Sequence, residues 1–571
     1  MNQFVGVSSP RVRKGDRMTT WKAFATTAIG VGLLMQGAMS GQQKAASAKP
    51  MTLTTMDYIE IRQLASRYAF AVDTGNNNGY DYADLFSADG EFMRPYAKGR
   101  DQLATLARGG RLGPFNIVHY ITNHVIEPTP DGAIGKQYLI ELNWEPNGDQ
   151  GGRGQGGRGQ GTAEQQPPVR QNPDGLGPNR WDLVGTRRAG ELARTGGHYE
   201  DVYVKTADGW RFKKRDFVPS KSGPEPAPPP PPRVRQAAQP VATPPSPTKF
   251  VEPTKQSTLT AMDYLQIQQL ISSYGHALDS GYGKGENGEA YADLYTRDAT
   301  FGNNVGRDRL IKVARIEPRG PDYVRHYLFN HVIEPTPEGV KGKEYLIVID
   351  VGENGKPSTF YLGGHYEETY VKTADGWRMK TRRLFPPRSG PQPANAPAAS
   401  PAPPAAPQPA QASGATDAKR STLTDEDYMA IQQLSARATY ALDGATDRGQ
   451  AFAKLFAPDG VFRAKLSQPY EIKGREQLAS FAMGDLLHRG PAYVRDYTTN
   501  HLIFPSAEGA TGKMYLIWIE VGENGNPGVL QGGGRYEDVY VKTGEGWRIK
   551  SRTYVPAKLG AREAWEYSPA N

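Results

Sequence analysis

Apolar positions along the chain first repeat with the period of a helix and then with that of a strand. Tyr58, Ile61, Leu64, Ala65, Tyr68 and Val72 fall on one helical stripe. Thr54 and Asp57 stand just before it at capping-box spacing, so a helix is expected to begin there and to end near Asp73. The phrase YADLF at Tyr82 predicts a second helix, and GRDQLATLA from Gly99 a third. Downstream, HYITNHVI, KQYLIELNW and HYEDVYVKT are rich in β-branched and aromatic residues and predict strands. Asp208-Gly209 marks a hairpin turn before Trp210.

The pattern occurs three times. Its opening phrase is LTTMDYIEIRQL at Leu53, LTAMDYLQIQQL at Leu259 and LTDEDYMAIQQL at Leu423. Its closing phrase is GGHYEDVYVKTADGWRFK from Gly196, GGHYEETYVKTADGWRMK from Gly363 and GGRYEDVYVKTGEGWRIK from Gly533. Between them stand NHVIEPTP from Asn123 and Asn330 and its relative NHLIFPSA from Asn500. Three ordered matches per copy define three duplicated domains. Helices followed by a curved antiparallel sheet predict an α+β fold of about 130 residues for each. The domains are placed at 51–220, 256–386 and 421–557, with a tail at 558–571. Proline-rich stretches at 221–255 and 387–420 read as semi-rigid tethers. The first copy carries an insertion at about 148–195 containing GGRGQGGRGQG, read as a solvated loop rather than an RNA-binding segment.

Composition narrows the chemistry. The 571 residues include no cysteine, which excludes disulfides, thiol nucleophiles and cysteine-bound zinc. The net charge of +8 is spread over the N-terminal segment and the insertion, with no basic helix, so nucleic-acid binding is not expected. A basic stretch, an apolar run from Ala23 to about Met35 and the small residues Ala38-Met39-Ser40 predict a signal peptide over 1–40 and a periplasmic or secreted protein. Met18 is an alternative start. The run is shorter than the ~20 apolar residues of a membrane span, so no span is expected after cleavage.

The order of phrases resembles the SnoaL-like branch of the nuclear-transport-factor-2-like superfamily. The residues that carry the resemblance are AFAVD ending at Asp73, YADLFSADGEF, HYITNH and YEDVYVKTADGWRF. It implies a cone in which helices and a curved sheet enclose one apolar pocket. Members include scytalone dehydratases, polyketide cyclases, ketosteroid isomerases and epoxide hydrolases, with many copies that do no catalysis. In dehydratase-like members a strand histidine and an aspartate closing the first helix form an acid-base pair. Carried over, the pairs are His119 with Asp73 and His326 with Asp279.

From the residues alone, Asp73 either floors a pocket, where burial would raise its pKa, or bonds the next loop's backbone. Strand alternation puts His119, Ile121 and Asn123 on one face and Tyr120, Thr122 and His124 on the other. Tyr68 and Tyr274 are candidate donors to a substrate oxygen. Asn123 and Asn330 either orient a ligand or satisfy sheet-edge backbone. Tyr199, Tyr366, His198 and His365 are further candidate ligand contacts. His119 and His124 point apart, which suits no metal, and no cofactor fingerprint is present. In the third copy Asp496 replaces the histidine, Ala438 the tyrosine and Arg535 the counterpart of His198, so that copy is expected to be structural or to bind something else. The expected partner is a small apolar or carbonyl-containing molecule, acted on without a cofactor by a lyase or isomerase step. The alternative is a multivalent binder or scaffold, with pairing between domains or between chains.

Overall fold

The computed structural model describes residues 50–108, 117–143, 187–188, 193–219, 259–280, 288–315, 324–337, 339–350, 359–385, 423–465, 469–483, 494–520 and 529–556. The expected signal peptide, both tethers, the tail and nearly all of the insertion lie outside the described residues. In the first domain α1 spans Thr55–Thr74, α2 Tyr80–Ala83 and α3 Arg100–Arg108. Its strands are β1 Phe86–Met93, β2 Tyr96–Lys98, β3 Ile117–Thr129, β4 Gly132–Asn143, β5 Arg187–Arg188, β6 Ala193–Thr206 and β7 Gly209–Pro219. The second helix is a single turn, because the chain turns into β1 four residues after Tyr82.

The capping box forms as the spacing requires: Asp57 N donates to Thr54 Oγ1 (3.2 Å) and Thr54 N to Asp57 Oδ2 (2.9 Å). The other oxygen of Asp57 accepts from Lys205 Nζ (2.5 Å) and Trp210 Nε1 (3.0 Å), pinning the helix start to the β6–β7 hairpin. Burial alone would raise the Asp57 pKa, but the bonds from Lys205, Thr54 and Trp210 prevail and bring it to about 2. The same clasp recurs at Asp263 with Lys372 and Trp377, and at Asp427 with Lys542 and Trp547.

The sheet runs β2-β1-β7-β6-β4-β3, antiparallel except where β1 lies parallel to β7. No hairpin joins those two strands, so nothing local fixes their relative direction. Two-residue β5, from the insertion, pairs instead with Thr359 and Phe360 of the second domain. Strict alternation along β3 stops at Asn123, whose φ of +55° and the register shift between Thr122 and Val125 mark a β-bulge. Asn330 and Asn500 repeat it at φ +54° and +52°.

The three domains close into a ring by one set of contacts used cyclically. Gln63 on α1 donates to His331 O (3.0 Å) and accepts from Ile333 N (2.8 Å) of the second domain. Gln269 makes the same pair to His501 O and Ile503 N of the third, and Gln433 to His124 O and Ile126 N of the first. The bulge asparagines answer in the same order: Asn330 Oδ1 accepts from Ile121 N (3.1 Å), Asn500 Oδ1 from Leu328 N (3.1 Å) and Asn123 Oδ1 from Thr498 N (3.2 Å). Near each helix end one ring packs against a tyrosine of the next domain: Phe70 stacks on Tyr345, while His276 and Tyr440 lie tilted against Tyr515 and Tyr138. An odd number of copies thus closes a pseudo-threefold ring within one chain.

Candidate functional site

The helix C-terminus and the middle of the following strand meet at the domain boundary. Asp73 Oδ1 lies 2.5 Å from His119 Nδ1, and Asp73 Oδ2 accepts from His119 N (3.0 Å). Tyr345 of the second domain reaches across and donates its hydroxyl to Asp73 Oδ2 (2.7 Å). In the second domain, Asp279 Oδ1 lies 2.6 Å from His326 Nδ1, and Tyr515 of the third donates to Asp279 Oδ2 (2.8 Å). Each histidine–aspartate pair is therefore completed by the neighbouring domain. The third domain closes the cycle with a different chemistry. Asp496 N donates to Asp443 Oδ2 (3.0 Å), the Tyr138 hydroxyl bonds Asp443, and Tyr536 donates to Asp496 Oδ2 (2.8 Å).

A carboxylate only accepts, so the proton between Asp73 and His119 sits on Nδ1 and leaves Nε2 as the basic atom. Burial would lower the His119 pKa, but Asp73 outweighs it and, with Glu141, raises the value above 6.5. Burial and Asp73 together push the Tyr345 phenol well above its usual range, so it stays a donor. The His119 side chain keeps 11% of its surface exposed, whereas that of His326 keeps none. In the third domain, burial and the neighbouring Asp496 raise Asp443 well above a usual carboxyl pKa, and no imidazole stands beside it.

The remaining expected residues are placed as follows. Tyr68 is fully buried with its hydroxyl 3.4 Å from that of Tyr199, and both rings cover the guanidinium of Arg215 (3.9 and 4.2 Å). Tyr274 and Tyr366 (3.0 Å apart at their hydroxyls) do the same over Arg382. Arg215 forms a fully buried bidentate pair with Asp201, both bonds 2.8 Å, so an ion pair stands in the centre of the cone beside these tyrosines. Asn123 and Asn330 span the domain boundary. His198 is partly exposed beside Glu200 (3.4 Å), while His365 stacks on Phe385 at the edge of Phe70 from the first domain. Sequence reasoning missed the cross-domain tyrosine and the buried arginine. The signal for the first was the tyrosine of KQYLI, KEYLI and KMYLI, which recurs in all three copies while the histidine does not.

Among the described residues, His331, Glu344 and Glu368 are the group whose donor atoms could converge on a metal. Arg382 already forms ion pairs with both carboxylates (2.6 and 2.9 Å), so a guanidinium takes the place a cation would have. Burial and the neighbouring Glu368 raise the Glu344 pKa well above the usual range. Glu344 stands where the first domain carries Gln137, whose amide donates to Asp201 (2.5 Å).

A six-stranded sheet packed against a long helix, present three times and carrying a histidine–aspartate pair at the helix end in the first two copies, defines an α+β domain of the nuclear-transport-factor-2-like class. The chain belongs to the SnoaL-like domain family, whose profile matches residues 54–216, 260–383 and 424–553. Similar solved structures include a function-unknown protein from Mycobacterium tuberculosis (25% identity, 23% of this chain and 72% of that one, TM-score 0.20). An NTF2-like protein with a cystatin-like fold from Novosphingobium aromaticivorans is 19% identical over 24% of this chain and 85% of that one (TM-score 0.22). ActVI-ORFA from Streptomyces coelicolor is 18% identical over 23% and 98% (TM-score 0.21). No curated protein matches the sequence. No helix among the described residues is long and apolar enough to cross a membrane.

Proposed function

We propose that this is an exported protein whose first two domains bind a small, largely apolar carbonyl compound and move a proton on it without a cofactor, as a lyase or isomerase. The observation that carries the reading is the His119–Asp73 pair with its Tyr345 hydrogen bond, repeated as His326–Asp279–Tyr515. Asp73 fixes the imidazole and stabilises its charged form. Nε2 then takes an acidic C–H proton, a step worth ~10²–10⁴ in rate for a positioned base. The third domain supplies Tyr515 to the second site and serves as a positioning partner. Proton exchange in D2O, followed by NMR on a panel of small ketones, tests the proposal. The full chain should accelerate α-proton exchange on at least one ketone, and the double variant His119→Ala/His326→Ala should not. Equal exchange by both would leave the acid-base role without support.

A second reading is favoured by the complete burial of His326 and by the arginine ion pairs within the cones. In it the pairs are clasps holding the ring shut, and the protein is a non-catalytic ligand-binding or interaction module. It predicts that the same double variant lowers stability while no ketone exchanges in either form.

A further inference from the structure

On the pseudo-threefold axis, apart from the histidine–aspartate pairs, the three domains line a partly open cavity of about 230 Å³. Its walls repeat the same positions from each copy, with the residue type changed at several of them, and two of those changes set the chemistry. Arg62 of the first domain stands where the others carry Gln268 and Gln432, and Phe329 of the second stands where the others carry Thr122 and Thr499.

Arg62 is the cavity's uncompensated charge. Its Nη1 donates to Gln432 Oε1, its Nε has no hydrogen-bond partner, and no carboxylate among the described residues pairs with it. The acid of the wall, Glu344, is already paired with Arg382 (2.6 Å), and burial with the neighbouring Glu368 raises its pKa well above the usual range. The wall histidines carry no charge near neutrality: burial holds His331 and His501 at about 3 and His124 well below its usual value. Burial also draws the Arg62 guanidinium down to about 10. Arg62 is only partly buried, but a cation withdrawn from water without a counter-ion still carries a cost that an anion seated against it recovers.

We propose that this axial cavity binds a small aromatic carboxylate. Its carboxylate would lie on Arg62, and its ring would lie among Phe329, Leu328, Ile121 and Ile271. A bidentate carboxylate fits the planar guanidinium better than a point anion does. An engineered apolar cavity of ~150 Å³ holds benzene, so a benzene ring with one carboxylate fits the larger space here. Arg62 and Phe329, each present in one copy alone, select a ligand with one charged end and one flat apolar end, in a single orientation.

The test is calorimetric titration of the full chain with sodium benzoate and with benzamide, its neutral counterpart. Wild type should bind benzoate saturably and benzamide at least tenfold more weakly. Arg62→Gln copies the residue tolerated in both other domains and should weaken benzoate at least tenfold. Phe329→Thr, likewise copied from the other domains, should weaken both compounds. His119→Ala/His326→Ala should bind benzoate as wild type does, which separates this cavity from the proposed acid-base sites. Absence of saturable benzoate binding by wild type, or equal binding by a folded Arg62→Gln variant, would overturn the proposal.

Discussion

Glu344 shows how one residue can change the behaviour of a buried network without changing its geometry. The first domain holds Gln137 at that position, the third Met514, and only the second places an acid against the acid of the next strand. With its folded pKa raised above 4.5, Glu344 binds a proton that the unfolded chain gives up at lower pH. Stability therefore falls as pH rises from the unfolded value through the folded one. Glu344→Gln should abolish that slope, and its advantage over wild type in melting temperature should grow from pH 4 to pH 9. A constant difference across that range would contradict the raised value. Asp57 has the opposite sign. Its pKa of about 2 means that its contribution is present above 3.8 and is lost as pH falls toward 2. Asp57→Ala removes a helix cap and the anchor of Trp210 and should cost about 1–3 kcal/mol in urea unfolding. The deficit should shrink under acid.

Among the elements, the bulged strand does most to set the architecture. The asparagine holds a left-handed backbone and, through its side chain, fills a hydrogen bond of the neighbouring domain. The two contributions can be separated. Asn330→Gly keeps the backbone but orphans Ile121 N, a loss of about 1–3 kcal/mol. Asn330→Ala adds left-handed strain of about 1–2 kcal/mol. Alanine should therefore be the more damaging in denaturant titrations, and equal losses would show that strain plays no part. The opening helix, its cap and the Asp208-Gly209 hairpin were legible in the sequence because periodicity and turn chemistry are local. The bulge was not, since HYITNHVI reads as unbroken alternation and the extra residue is fixed by a contact from another domain. β1 was missed for a related reason: SADGEF is polar, and its strand exists because β7 lies beside it. The pairing of His119 with Asp73 was anticipated by resemblance. Arg215 at the core was not, because among the four cations of RFKKRDF it looks like any solvated charge.

For the molecule as a whole, ring closure makes the copies interdependent. Gln63, Gln269 and Gln433 recur in a phrase that could equally have served contacts inside each domain, and only the folded chain shows that they bond the next one. Closing the ring removes three separate folding units and leaves one. Gln433→Ala breaks the return contact from the third domain to the first and leaves Ile126 N without its partner. Calorimetry should still show a single transition for the whole chain, moved to lower temperature, rather than an early transition of one domain. Separate domain transitions in wild type would contradict a cooperative ring.

The most direct measurement follows the imidazole that the neighbouring domain helps to position. The pH titration of His119, read by NMR in the full chain, should give a pKa above 6.5 in wild type. It should fall below 6.5 in Asp73→Asn, where burial remains and the carboxylate is gone. It should rise further in Tyr345→Phe, where Asp73 loses a donor and holds the imidazolium more strongly. A His119 titration that neither substitution moves would contradict an acid-base pair completed across the domain boundary.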